Sequence, residues 1–89
     1  MICNTEIRNR IRLSIAAFAY EYRADPILTD AQFDELSKQI QPDLSTGHKI
    51  LDTFFREEFN PDTGLWIHKH PELRKLEVIY NKYFNKEND

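Results

Sequence analysis

A chain of 89 residues has room for one domain, and folding at this size buries only about 60–65% of the unfolded surface, so the core must be efficient. A composition of 40% hydrophobic and 12% aromatic residues, with two glycines and four prolines, excludes a disordered or repetitive chain. Cys3, the single cysteine, excludes an internal disulfide framework, and the net charge of −3 argues against non-specific nucleic-acid binding, which needs a positive footprint.

The first predicted element is a helix over ~5–23. Ile7, Ile11, Ile15, Phe18 and Tyr22 form its apolar stripe, widened by Leu13, Ala16 and Tyr20. Pro26 ends it, because the residue before a proline is pushed out of the α region. Thr29 and Gln32 then form a Thr-x-x-Gln capping box that starts a helix over ~30–40, with Phe33, Leu36 and Ile40 facing inward. Pro42 follows its end.

Ser45 or Thr46 is the expected cap of a third helix, whose inward residues are Ile50, Leu51, Phe54, Phe55 and Phe59. Asn60-Pro61-Asp62-Thr63-Gly64 is turn chemistry, with Gly64 suited to a positive φ. Leu65–His68 reads as coil or a bridge. Pro71 and Glu72 suit the first turn of a last helix over ~71–84 that buries Leu73, Leu76, Ile79, Tyr80, Tyr83 and Phe84. Residues 85–89 form a polar tail. The expected architecture is all-α: one domain, 1–89, of about four helices around an aromatic core. That core comprises Ile11, Ile15, Phe18, Phe33, Leu36, Leu51, Phe54, Phe55, Leu76, Ile79 and Tyr83.

The longest strongly apolar run, Ile15–Tyr20, is far short of a membrane span, and the chain opens with no charged-then-apolar leader. A soluble cytoplasmic protein, monomeric or homodimeric, is expected. Charge is unevenly placed: residues 1–24 carry four arginines against two glutamates, and residues 25–62 carry nine acids against three bases. The acidic middle is either the complement of the basic first helix or a surface for a protein partner.

The stretch Ala19-Tyr20-Glu21-Tyr22-Arg23-Ala24-Asp25-Pro26 followed by Asp30-Ala31-Gln32-Phe33-Asp34-Glu35-Leu36 resembles the N-terminal helical domain of bacterial NAD-dependent DNA ligases. The resemblance spans roughly residues 15–40 and implies binding of the nicotinamide mononucleotide half of NAD by Tyr20, Asp30, Phe33 and Asp34. Glu21 stands where the family has histidine, and Phe33 where it has tyrosine. A phenyl ring can still stack on nicotinamide but has no hydroxyl to donate, while Glu21 is unfavourable beside a phosphate. With no second domain to close over the ligand, the expected dissociation constant is ~0.1–1 mM. The plainer reading makes this stretch a helix start: Asp30 serves the helix dipole, Phe33 and Leu36 the core, and Asp34 and Glu35 a solvated face. Catalysis is not expected. A ligase needs a lysine nucleophile in a large nucleotidyltransferase domain, and Gly47 and Gly64 alone make no phosphate loop.

Other constellations have plain alternatives. His68 and His70, with His48 or a carboxylate, are candidate metal ligands if extended, or else a surface residue and a helix cap. Arg8, Arg10 and Arg12 are expected on the polar side of the first helix, able to grip a phosphate or an acidic partner, or simply solvated. Trp66, in a connection that would usually be polar, is either a lid over the core or a partner-binding anchor.

The segments Ser45-Thr46-Gly47, Leu51-Asp52-x-Phe54-Phe55-Arg56 and Thr63-Gly64-Leu65-Trp66-Ile67-His68, with His70-Pro71-Glu72-Leu73, resemble those of small proteins carried by bacteriophages and prophages. That resemblance implies an origin rather than an activity. The leading expectation is a non-catalytic binding protein that acts on a protein partner, for example as an inhibitor or adaptor. Its candidate contacts are Asp34, Glu35, Glu57, Glu58 and Trp66, with Asp30 and Asp52 as further acidic candidates. Binding of nicotinamide mononucleotide or NAD is the alternative.

Overall fold

The computed structural model describes residues 4–84. Cys3 and the expected polar tail, 85–89, lie outside the described residues. Four α-helices follow one another: α1 (Asn4–Arg23), α2 (Asp30–Gln39), α3 (Lys49–Glu58) and α4 (Leu73–Tyr83). A 3-10 helix, Leu65–Lys69, occupies the connection expected to be coil. The described residues contain no strand, and none of their helices is long and apolar enough to cross a membrane. The fold is all-α.

α1 is the axle. It packs against α2, α4 and the 3-10 helix, and every residue from Leu13 to Ala19 is buried. Ser14, Ala16, Ala17 and Ala19 are small, which lets neighbouring elements close in on several sides of one helix. Leu13, Phe18, Phe55, Trp66 and Ile67 fill the middle of the core, flanked by Leu36, Ile40, Leu76 and Tyr80. Trp66 lies 5.2–6.0 Å, centroid to centroid, from the rings of Phe54, Phe55 and Phe59. At 4% exposure it is a lid built into the core.

Several expectations are corrected. Ile11 (39% exposed) and Tyr83 (68%) lie outside the core, because α1 and α4 bury faces turned away from these positions. Ile50 and Phe84 are likewise exposed, and Phe33, Leu51 and Ile79 are half-buried. The cap of α3 is His48, whose Nδ1 accepts the Leu51 N–H. Thr46 instead donates its hydroxyl and its N–H to Asp52. Gly64 has φ −99, and the positive-φ glycine is Gly47 at +92. What Gly64 supplies is closeness: a Cβ there would stand 3.4 Å from the Phe33 ring.

Arg10 is also corrected. It is 2% exposed and turned inward. Its Nε donates to Glu6 at 2.6 Å and its Nη1 to Asp52 at 2.8 Å. Its Nη2 donates to the Gln41 and Leu44 carbonyls at 2.8 and 3.0 Å, and its guanidinium lies 5.0 Å from the Phe55 ring centroid. Glu6 accepts the Gln41 N–H as well. One guanidinium therefore ties α1 to the 41–46 loop and to α3, and its carboxylate partners are themselves hydrogen-bonded. Asp52, expected among the partner-facing acids, belongs to this buried hub. Burial opposes its charge, but hydrogen bonds from Thr46 and Arg10 outweigh that and hold its carboxyl below the usual value.

Candidate functional site

The opposite end of α1 is open. The helix stops in a left-handed residue, Ala24 at φ 51, and the Asp25 N–H returns to the Ala19 carbonyl at 3.0 Å. Asp25 Oδ2 accepts the Tyr80 hydroxyl at 2.7 Å, which anchors the turn to α4. Pro26, Ile27 and Leu28 carry the chain to Thr29, where the capping box forms: the Gln32 N–H donates to Thr29 Oγ1 at 3.1 Å, and the Thr29 N–H to Gln32 Oε1 at 2.9 Å. That box fixes the start of α2, and with it the directions of Asp30, Phe33 and Asp34.

Between this turn and the connection after α3 lies a cleft of about 380 Å³. Ala16, Ala17, Tyr20 and Glu21 of α1 line it on one side, and Asp30, Phe33 and Asp34 of α2 on another. Asp62, Thr63 and Gly64 close it; Asn60 Oδ1 shapes their turn by accepting the Asp62 N–H at 2.8 Å. Tyr20 is 60% exposed and Phe33 half-buried, so each ring presents surface. Glu21, Asp30, Asp34 and Asp62 bring four carboxyl groups to the lining, which contains no lysine, arginine or histidine among the described residues. Glu21 is engaged from outside the cleft by His68 Nε2 at 2.9 Å. A carboxylate only accepts, so Nε2 carries the proton, and in a neutral ring Nδ1 accepts the Tyr22 hydroxyl at 3.0 Å. The chemistry on offer is a cation site beside aromatic faces.

The ligase-like residues Tyr20, Asp30, Phe33 and Asp34 thus share one cleft. Sequence reading missed the wall at residues 62–64. Its turn chemistry was legible, but its meeting with residue 33 depends on tertiary packing. The remaining candidates do not converge here. Glu35, Glu57 and Glu58 are exposed, with Glu57 4.0 Å from Arg56 and Glu58 3.3 Å from Lys69. Arg8 and Arg12 are exposed and Arg10 is buried. His68 and His70 part company: His70 is buried, 5.0 Å from the Phe54 ring, and its Nδ1 accepts the Glu72 N–H at 3.0 Å. Burial pushes its pKa down to about 4, against the smaller pull of nearby Glu72. No group of three metal-ligating side chains forms among the described residues.

No protein-family model matches the chain, and no curated protein or solved structure matches it.

Proposed function

We propose that the chain is a non-catalytic binding protein whose cleft receives a cationic side chain, lysine or arginine, from a protein partner. The observation that carries this reading is the lining: four carboxyl groups, the exposed Tyr20 ring and the edge of Phe33, with no basic residue among them. A guanidinium or ammonium entering there gains charge-assisted hydrogen bonds and an aromatic face together. The wider acidity of residues 25–62 steers a basic segment toward the cleft. Under this reading Asp30 and Asp34 are the contact acids, with Glu35, Glu57 and Glu58 contributing field rather than contact. A cytoplasmic inhibitor or adaptor of a host or defence enzyme is the role this reading assigns to the chain.

A second reading, a nicotinamide nucleotide in the same cleft, is favoured by Tyr20, Asp30, Phe33 and Asp34 all lining it. The cationic pyridinium ring suits the acids and Phe33. The phosphate does not, since no basic residue lines the cleft and Glu21 adds a negative charge. Nicotinamide riboside should therefore bind better than nicotinamide mononucleotide.

Amide chemical-shift titrations decide between them. Probes are an arginine- and lysine-containing peptide, nicotinamide riboside and nicotinamide mononucleotide. The leading reading expects saturable shifts on residues 16–34 and 62–64 with the peptide, at a dissociation constant of ~1 mM or tighter, lost with Asp30→Lys/Asp34→Lys. Shifts there with the nucleoside and none with the peptide promote the second reading. A flat response to all three at several millimolar sinks both.

A further inference from the structure

A second hollow lies against the N-terminal half of α1, away from the acidic cleft at its C-terminal half. It measures about 230 Å³ and is almost wholly apolar, walled by Ile7, Ile11, Leu51, Phe55, Leu76 and Ile79. Engineered apolar cavities of about 150 Å³ already accept benzene. Two buried polar groups in its lining have unmet hydrogen-bonding capacity. Ser14 is 1% exposed, and its Oγ has no hydrogen-bond partner. His70 is 8% exposed; because its Nδ1 accepts the Glu72 N–H, the neutral ring carries its proton on Nε2, which has no partner among the described residues. Buried polar groups are normally satisfied, so an orphan hydroxyl and an unspent N–H donor in one apolar hollow ask for the same thing.

We propose that this hollow is a binding site for a small neutral aromatic molecule bearing one hydroxyl group, of the phenol class. The ring occupies the aliphatic walls beside Phe55, and the hydroxyl exchanges a hydrogen bond with Ser14 or accepts one from His70. The charges nearby exclude an acid as the ligand. Arg10 is committed to two carboxylates and two carbonyls, and Lys75 and His48 at the rim both face Glu72. A bare carboxylate would enter an apolar space without a free cation. A ligand with no polar group fills the volume but leaves Ser14 and His70 unsatisfied.

The test is a methyl and amide NMR titration of the full chain with phenol, using toluene as the apolar control. The expected result is saturable shifts at Ile7, Ile11, Leu51, Leu76 and Ile79, with phenol bound about fivefold more tightly than toluene, one neutral hydrogen bond's worth. Ser14→Ala should lower phenol affinity and narrow that preference while leaving toluene affinity and the melting temperature near wild type. Ile11→Trp, at a position 39% exposed on the rim, should block both ligands without disturbing the core. Thermal melts of both variants separate a filled site from an unfolded chain. Phenol and toluene binding equally in the wild type would overturn the proposal, since Ser14 and His70 would then contribute nothing to recognition. So would the absence of saturable shifts at several millimolar ligand, which would leave the hollow a packing gap.

Discussion

At the N-terminal end of α1, Arg10 is almost wholly buried and joined to Glu6, Asp52 and two backbone carbonyls. At the other end, Tyr20 is 60% exposed, and the Asp30, Asp34 and Asp62 carboxylates have no cationic partner among the described residues. The same helix thus spends charge in two ways. In the hub each ion is desolvated and then re-solvated by protein, so the charges define which loop and which helix sit where. In the cleft like charges gather around an open volume, which costs a little stability and leaves them available to something else. The contrast makes distinct demands on substitution: the hub should be sensitive to removal of any one member, and the cleft indifferent in stability but sensitive in binding.

The sharpest way to break the contrast is Arg10→Ala. It leaves Glu6 and Asp52 buried without their cation and frees the 41–46 loop. Denaturant unfolding should register a loss of ~3–5 kcal/mol. A loss below about 1 kcal/mol would mean that Arg10 is solvated in solution.

The next largest effect follows pH. The pKa of His70 falls from 6.5 to about 4 on folding, so between those values the unfolded chain binds more protons than the folded one. Stability is full above pH 6.5 and declines as pH falls toward 4, by roughly 3 kcal/mol. Asp52 acts in a lower window. Its depressed pKa adds stability above the ordinary value of 3.8, lost as pH falls through the folded value. His70→Asn keeps an acceptor for the Glu72 N–H and removes the titration. Its stability should be lower at neutral pH, because the imidazole's packing on Phe54 is gone, yet the decline that begins below pH 6.5 should vanish, leaving only the loss near and below 4.5 where Glu72 and Asp52, both held below their usual values, take up protons. An unchanged acid slope in that variant would assign the slope elsewhere.

A smaller change, in the opposite direction, belongs to the cleft's approach. Ala24 holds φ 51, a region where an L-residue is strained and glycine is not. Ala24→Gly relieves that strain and loosens the unfolded chain, for a net gain of about 0.5–1 kcal/mol in thermal unfolding. Destabilisation instead would show that the alanine methyl makes contacts worth more than the strain.

What was legible in the sequence tracks how local its cause is. The Thr29–Gln32 capping box, the stop before Pro26 and the starts and ends of α1 and α2 rest on contacts within a few residues, and they could be read directly. The core of α1 was misjudged for the opposite reason. A helix packed on several sides loses its stripe, so the run 13–19 is buried continuously and Ile11, which fits the period, is not. Arg10 and Asp52 read as surface because the contacts that turn Arg10 inward, to Asp52 and to the Gln41 and Leu44 carbonyls, span 31–42 residues of chain. Half of the cleft was visible as Tyr20, Asp30, Phe33 and Asp34, whereas Asp62–Gly64 enters only through the fit of Gly64 against Phe33.

The smallest expected stability change is the most informative about function. Asp34→Asn/Asp62→Asn removes one carboxylate from each of two walls of the cleft and keeps their size. Among the described residues Asp34 makes no hydrogen bond to another residue's side chain, and the Asp62 contact to Asn60 is made by its backbone N–H, which the substitution retains. The unfolding free energy should therefore stay within about 0.5 kcal/mol of wild type, with any shift toward greater stability as like charges are relieved. Affinity for an arginine-containing peptide should nonetheless fall about tenfold or more, because two of the four negative charges around the guanidinium are gone. The salt dependence of binding should also weaken, since screening then has less attraction to remove. Stability lost together with affinity would make these aspartates part of the scaffold. Affinity unchanged at constant stability would place the cation site somewhere other than this cleft.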